Sequence, residues 1–236
     1  MKTFLHSGKL GDCLFSLPTI KAMGGGVLYI PQKGPEVETM FSDMFSLLKS
    51  QSYITNVIRC PDVLTYEEEP VKVDVNLNKH RQQTMKGVIH IVKRHMDACN
   101  VRVKNWQEPW LELNTIPSAE PYTLFNYTGR NVYNSHWDVN SKVNWQQVYA
   151  GVPGLKYFVG HPAEYGWFCK MVWAKPEYLP TKTVYELSVL VKNAAAVYCN
   201  QSLVLALSQS LGKDYWLDVK PGKTNCLIYS QNEHLL

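Results

Sequence analysis

The chain has 236 residues, 45% of them hydrophobic and 19% charged, with a formal net charge of +4. These totals describe an ordinary soluble globular protein that can bury a core as one domain or two small ones. No apolar run approaches the ~20 residues needed to span a bilayer, and the N-terminus lacks the basic segment and cleavable apolar core of a signal peptide, so a cytoplasmic location is expected.

Residues 2–6 (KTFLH) read as a first buried strand. The stretch Ser7-Gly8-Lys9-Leu10-Gly11-Asp12 then turns into an apolar helix ending its first turns at Leu17-Pro18. A strand feeding a glycine-containing turn into a helix is the ligand-facing edge of an open α/β sheet. Asp12 is there either as a helix cap or as a carboxylate placed at a site. The stretch matches neither G-x-x-x-x-G-K-[ST] nor G-x-G-x-x-G.

A second strand is expected at 27–30 (VLYI), followed by an amphipathic helix from Pro35 with Val37, Met40, Phe41, Met44, Phe45 and Leu48 on one face. Residues 54–60 and 71–77 (VKVDVNL) read as strands three and four, with Glu67-Glu68-Glu69 in an exposed loop between them. Thr84 is the expected cap of a helix carrying Met85, Val88, Ile89, Val92 and Met96 inward. From Lys79 to Lys104 there are seven basic residues against Asp97 alone, which is either a solvated helix face or a surface for an anionic ligand such as nucleic acid.

Residues 116–121 (IPSAEP) have linker composition, which places the boundary between domains 1–115 and 121–236. The second half restarts the same grammar, with strands at 122–125, 156–159, 178–179 and 196–199 and helices at 145–150, 162–172, 184–194 and 203–211. Gly212 ends the last of these helices, and late strands are expected at 215–219 and 226–229. The fold class is therefore α/β, two small Rossmann-like lobes with mostly parallel sheets around a central cleft. Ligands in such sheets bind beyond the carboxyl ends of the strands, which nominates the loops at 7–12, 126–130, 160–164 and 200–202.

Taken together, these motifs resemble the ADP-heptose heptosyltransferase-like glycosyltransferases of GT-B fold. S-G-K-L-G-D-x-L-x-S-L-P resembles their N-terminal signature, and Asn126-Tyr127-Thr128-Gly129-Arg130 stands where they place a first diphosphate-contacting loop. Tyr157-Phe158-Val159-Gly160 with Glu164 resembles their second strand and turn. Ala196-Val197-Tyr198-Cys199-Asn200-Gln201-Ser202 resembles the strand-to-helix loop that cradles the donor phosphates. The family's loop reads Asp-Thr/Ser-Gly with a histidine three residues on, whereas this chain has Gln201-Ser202-Leu203 and Ala206. The donor ADP-heptose is therefore not carried over, and the variant loop is closer to bacterial or phage members.

The resemblance implies transfer of a sugar from a nucleotide-diphosphate donor to an acceptor hydroxyl. Asp12 is the matching general base, with Ser7, Gly8, Lys9 and Gly11 on the acceptor side. Thr128, Gly129, Arg130, Gly160, Glu164, Asn200, Gln201 and Ser202 are the donor-binding candidates. Arg130 suits the diphosphate because its planar fork donates two parallel hydrogen bonds, with Lys142 and Lys9 behind it.

No D-x-D triplet occurs, so a metal-independent, inverting reaction without a cofactor is expected, the nucleotide sugar being a co-substrate. The histidines form no H-x-x-x-H or H-E-x-x-H pattern, and His161 alone is retained as a possible base or ribose contact. Trp137, Trp145 and Tyr133 are either stacking platforms or packing residues. Six cysteines without a C-x-x-C pair argue against a zinc site and a disulfide framework. A non-catalytic nucleotide-binding module of the same fold, and a phage-type transferase acting on modified DNA bases, are the alternatives.

Overall fold

The computed structural model describes residues 1–31, 44–82, 90–128, 142–219, 226–227 and 230–236. The chain divides into two compact units, Met1–Leu113 with Thr183–Tyr185, and Asn114–Lys182 with Glu186–Leu236. Both are α/β, as the alternation of strand and helix patterns predicts.

In the first unit, strands β1 (Lys2–Leu5), β2 (Gly26–Pro31), β3 (Ile54–Cys60) and β4 (Val75–Asn76) form a parallel sheet in the order β3-β2-β1-β4. Helix α1 (Leu10–Ala22) connects β1 to β2 and is buried on almost every side from Cys13 to Ile20. Such a helix cannot show a clean amphipathic stripe, which accounts for its continuous apolar sequence. Pro18 sits inside it and supplies no N–H to the carbonyl one turn back, at Leu14. The indole Nε1 of Trp110 donates to that carbonyl at 3.0 Å, so the bond the proline removes is replaced from outside the helix.

Helix α2 (Phe45–Lys49) packs Leu47 and Leu48 inward, while the rest of the helix expected from Pro35 to Phe41 lies outside the described residues. The fourth strand is shorter than the 71–77 alternation predicts. Asp74 interrupts the ladder, because its carboxylate accepts from both the Thr3 N–H (2.8 Å) and the Thr3 hydroxyl (2.9 Å). Two residues later the Asn76 side chain accepts from Asn78 N–H and opens a 3-10 helix, Leu77–Arg81. Thr84, Met85, Val88 and Ile89 lie outside the described residues. The described helix α3 (Ile91–Ala98) is capped by the His90 ring and buries Val92, His95 and Met96.

In the second unit the sheet is again parallel, in the order β10-β9-β8-β5-β6-β7. Its strands are β5 (Tyr122–Asn126), β6 (Leu155–Phe158), β7 (Glu177–Tyr178), β8 (Ala196–Asn200), β9 (Tyr215–Asp218) and β10 (Glu233–Leu235). Its helices are α4 (Trp145–Gly151), α5 (Pro162–Val172), α6 (Val184–Asn193) and α7 (Leu203–Leu211), and α7 ends at a left-handed Gly212 as the sequence predicts. Cys226 and Leu227 are not in a strand, because the Gln209 amide takes the Cys226 carbonyl at 2.6 Å and holds it in a loop.

The core of this unit is aromatic. Phe125, Trp145, Phe158 and Phe168 are buried together, and the Trp145 indole donates to Asp218 at 2.9 Å. Trp145 is thus a packing residue with its polar atom satisfied. Across the sheet Phe125, Tyr198, Trp216 and His234 occupy paired positions on β5, β8, β9 and β10, and their rings stack at 5.2, 4.9 and 4.5 Å. Such cross-strand pairs stabilise one register over its neighbours.

Candidate functional site

In the first unit the turn after β1 is built by the 3-10 helix. The Ser7 N–H and hydroxyl meet the Asn78 amide, which accepts from the first at 3.1 Å and donates to the second at 2.8 Å. Ser7 is fully buried and occupied by this pair. Asp12 lies in the first turn of α1, whose N-cap is Lys9, so the carboxylate does not serve as the cap. Its Oδ2 pairs instead with the Arg81 guanidinium, three residues beyond Asn78 on the same 3-10 helix. Both partners retain some exposure, 18% for the Asp12 side chain and 24% for Arg81.

Gly8 is required by the close approach of these groups. A Cβ there would lie 2.9 Å from His6 Cε1 and 3.2 Å from Arg81 Nη2. The Tyr66 ring covers the guanidinium, 4.1 Å from its centroid to Arg81 Cζ.

Behind the pair stand three buried histidines that sequence patterns do not bring together. His6 and His95 ring centroids are 5.7 Å apart, and those of His80 and His95 are 3.8 Å apart. His6 Nδ1 accepts from Gly8 N–H, and His80 Nδ1 donates to the Leu77 carbonyl. His6 Nε2, both ring nitrogens of His95 and Arg81 Nε are buried without a hydrogen-bond partner among the described residues. Burial, reinforced by the neighbouring imidazoles and by Arg81, holds His6 and His95 well below the usual histidine range. Burial also lowers His80, against the opposing effect of the Leu77 carbonyl and Asp12. The wall behind Asp12 is therefore neutral at pH 7. No group of three or more His, Cys, Asp or Glu among the described residues has the arrangement of a metal site.

The basic segment divides by role. Lys79, Lys93, Arg102 and Lys104 are exposed and solvated, whereas Arg81 faces inward to Asp12.

In the second unit the candidate residues gather at the carboxyl ends of β5, β6 and β8. Asn200 is folded onto the backbone of Thr128, accepting from its N–H and donating to its carbonyl, both at 3.0 Å. Ser202 precedes α7 in the N-cap position, yet its hydroxyl donates to Asn126 Oδ1 at 2.8 Å and caps no helix amide. Asn126 Nδ2 in turn donates to the Val159 carbonyl at 2.8 Å, joining the ends of β5 and β6. The first-turn N–H groups of α7 are thus left without a side-chain cap.

Gly160 lies at φ +143°, and a Cβ there would meet Glu164 Oε2 at 2.9 Å and Asn126 Nδ2 at 3.1 Å. Glu164 accepts from His161 N–H, and the His161 ring accepts from Ala163 N–H, a capping box at the start of α5. His161, expected as a possible base or ribose contact, has a structural role, and burial raises the Glu164 carboxyl above its usual range. Gln201 donates to the Cys226 thiol at 2.8 Å. Ala206 is buried inside α7. Gly129, Arg130, Tyr133 and Trp137 lie outside the described residues, and Lys142 is exposed.

Asn78 was not singled out by sequence reasoning, and Asn126 was read only as the start of its loop, although each organises the loop it stands in. The available signal for Asn126 was an amide at the end of a buried strand, where apolar alternation gives no reason for it.

No family model matches the sequence, and no curated protein does either. Solved structures do. A glycosyl transferase family 9 protein from Veillonella parvula matches with a TM-score of 0.67 at 11% identity, over 100% of this chain and 85% of that one. The E. coli heptosyltransferase WaaC with ADP matches with a TM-score of 0.64 at 12% identity, over 99% and 92%. The chain has the heptosyltransferase fold. The E. coli ADP-heptose LPS heptosyltransferase II shares that fold as well, with a TM-score of 0.63 at 10% identity over 100% and 90%. Heptosyltransferase-fold chains thus match this one along nearly its whole length, at identities that leave each residue's role to the local geometry. Among the described residues no helix is long and apolar enough to cross a membrane.

Proposed function

We propose that the protein is a glycosyltransferase that moves a sugar from a nucleotide-diphosphate donor to an acceptor hydroxyl. The observation that carries this reading is the open N-terminus of α7. Its amides stand uncapped at the carboxyl ends of parallel strands, because Ser202 is diverted to Asn126. Unpaired amides and the helix dipole at such a position favour a diphosphate. The heptosyltransferase fold and the ADP bound in a protein that shares it support the same assignment.

In this reading the second unit holds the donor through the α7 amides, the Thr128 and Gly160 loops and Arg130. Asp12 of the first unit is the general base. The acceptor oxygen bonds to the anomeric carbon, the bond from that carbon to the diphosphate breaks, and the hydroxyl proton passes to the Asp12 carboxylate. A single displacement of this kind inverts the anomeric centre. The helix amides and Arg130 balance the charge on the leaving diphosphate, so the reaction is proposed to need no metal.

A thermal-shift screen across UDP, ADP, GDP, CMP and their sugars tests the reading. One nucleotide at a hundredfold excess over its Kd stabilises the native state by about 2.7 kcal/mol, a rise of several degrees. The same sugar nucleotide is slowly hydrolysed. Absence of both responses across the panel would contradict the assignment, and binding without hydrolysis would instead mark a non-catalytic module.

A further inference from the structure

We propose that Arg81 is the positioning residue of this reaction, holding the Asp12 carboxylate so that Oδ1 faces the acceptor while Oδ2 is tied. This rests on the reading of Asp12 as the base. Four observations converge on it. Arg81 Nη2 donates to Asp12 Oδ2. The guanidinium is pressed between the Gly8 turn, where even a methyl group would crowd Nη2, and the ring of Tyr66. Asn78, one turn earlier on the same 3-10 helix, fixes Ser7 through two hydrogen bonds. One short element therefore sets both ends of the Ser7–Asp12 turn.

The fourth observation is the histidine wall. His6, His80 and His95 are buried beside the pair, and burial keeps them neutral. They do not compete with Arg81 for the carboxylate's charge. Arg81 is then the charged group that fixes the direction of Asp12 from this wall. A guanidinium does this better than an ammonium, since its planar fork limits the carboxylate to one rotation. Misplacing a catalytic group by about an ångström costs on the order of a hundredfold in rate.

The experiment compares wild type, Arg81→Met, Arg81→Lys and Gly8→Ala, using the sugar nucleotide that gives the largest thermal shift and water as acceptor. Arg81→Met is expected to lower kcat for donor hydrolysis by roughly ten- to a hundredfold, with donor KM within about twofold. Arg81→Lys recovers part of the loss, and Gly8→Ala, whose Cβ would lie 2.9 Å from His6 Cε1 and 3.2 Å from Arg81 Nη2 and so crowds the guanidinium, lowers kcat in the same direction. An unchanged kcat in Arg81→Met, or a raised KM at constant kcat, overturns the proposal.

Amide exchange across residues 8–13 supplies the reading that is independent of activity. Exchange there quickens by about tenfold or more in Arg81→Met and stays near wild type in Arg81→Lys. If wild type neither binds nor hydrolyses any nucleotide sugar, the transferase reading fails first. Unchanged exchange in Arg81→Met then removes the positioning role as well. If Arg81→Met does not fold, the decision passes to Gly8→Ala, whose wild-type kcat and exchange would overturn the proposal.

Discussion

The turn after β1 and the turn before α7 occupy equivalent places, each joining a parallel strand to the helix that follows it, and they are built from opposite chemistry. The first places a carboxylate in the opening turn of α1 and binds it to a guanidinium in front of buried neutral imidazoles. The second uses its polar side chains within the loops: Ser202 donates to Asn126, Asn126 to the Val159 carbonyl, and Asn200 accepts from the Thr128 N–H. It leaves the start of α7 without a side-chain cap. A helix start that already carries a carboxylate has no use for an anion, whereas one stripped of its cap is suited to hold one. Equivalent topology thus yields an ion-paired carboxylate in one unit and a helix start without a side-chain cap in the other.

The most severe way to break this contrast is to make the second turn resemble the first. Ser202→Asp puts a carboxylate at the N-terminus of α7, where it suits the helix dipole and so preserves the fold. Nucleoside diphosphate affinity by calorimetry is expected to fall about a hundredfold, roughly 2.8 kcal/mol. Removing the network is the next largest change. Asn126→Leu leaves the Ser202 hydroxyl and the Val159 carbonyl without their partner and is expected to cost about 2 kcal/mol in chemical denaturation.

Acid separates the two turns by sign. His6, His80 and His95 titrate lower in the folded chain than in the unfolded one, where the value is about 6.5. Between those values the unfolded state holds more protons, so the first unit loses stability as pH falls below about 6.5. The groups around them, Asp12, Arg81 and Arg94, do not reverse this direction. Glu164 acts oppositely: its raised carboxyl favours the folded second unit as pH falls toward its unfolded value. Unfolding followed by amide exchange from pH 7.5 to 5.5 should show amides of α1 and β1 weakening before those of β5 and β6, and His95→Gln should flatten that slope. The smallest expected change is Trp110→Phe, which withdraws the donor from the Leu14 carbonyl and costs about 1 kcal/mol.

Much of the architecture was legible because parallel strands buried on both faces read as short apolar runs, and helices between them carry turn residues at their ends. The exceptions have local causes. Alternation through VKVDVNL suggests a full strand, yet the Asp74 carboxylate takes the Thr3 N–H and hydroxyl on one side of β4, and the Asn76 side chain opens the 3-10 helix on the other. The position of Asp12 was legible from the glycine turn and the family resemblance. Its partner was not, because Arg81 is 69 residues away, in a basic segment that reads as a solvated face. The histidine wall was equally hidden: His6, His80 and His95 stand alone in the sequence, and it takes the pairing of β1 with β4 and the packing of α3 on the 3-10 helix to bring them together. His161 drew attention by standing at a strand end, and its ring and backbone N–H are used by the capping box of α5.

In the proposed reading one unit supplies the base and the other binds the donor, and a single substitution separates the two roles. Asp12→Asn keeps the size of the side chain and removes its basicity. With the sugar nucleotide that most raises the melting temperature, the variant should give the wild-type thermal shift while donor turnover falls about 10²- to 10⁴-fold. Wild-type turnover in Asp12→Asn, or loss of the thermal shift together with turnover, would contradict the account.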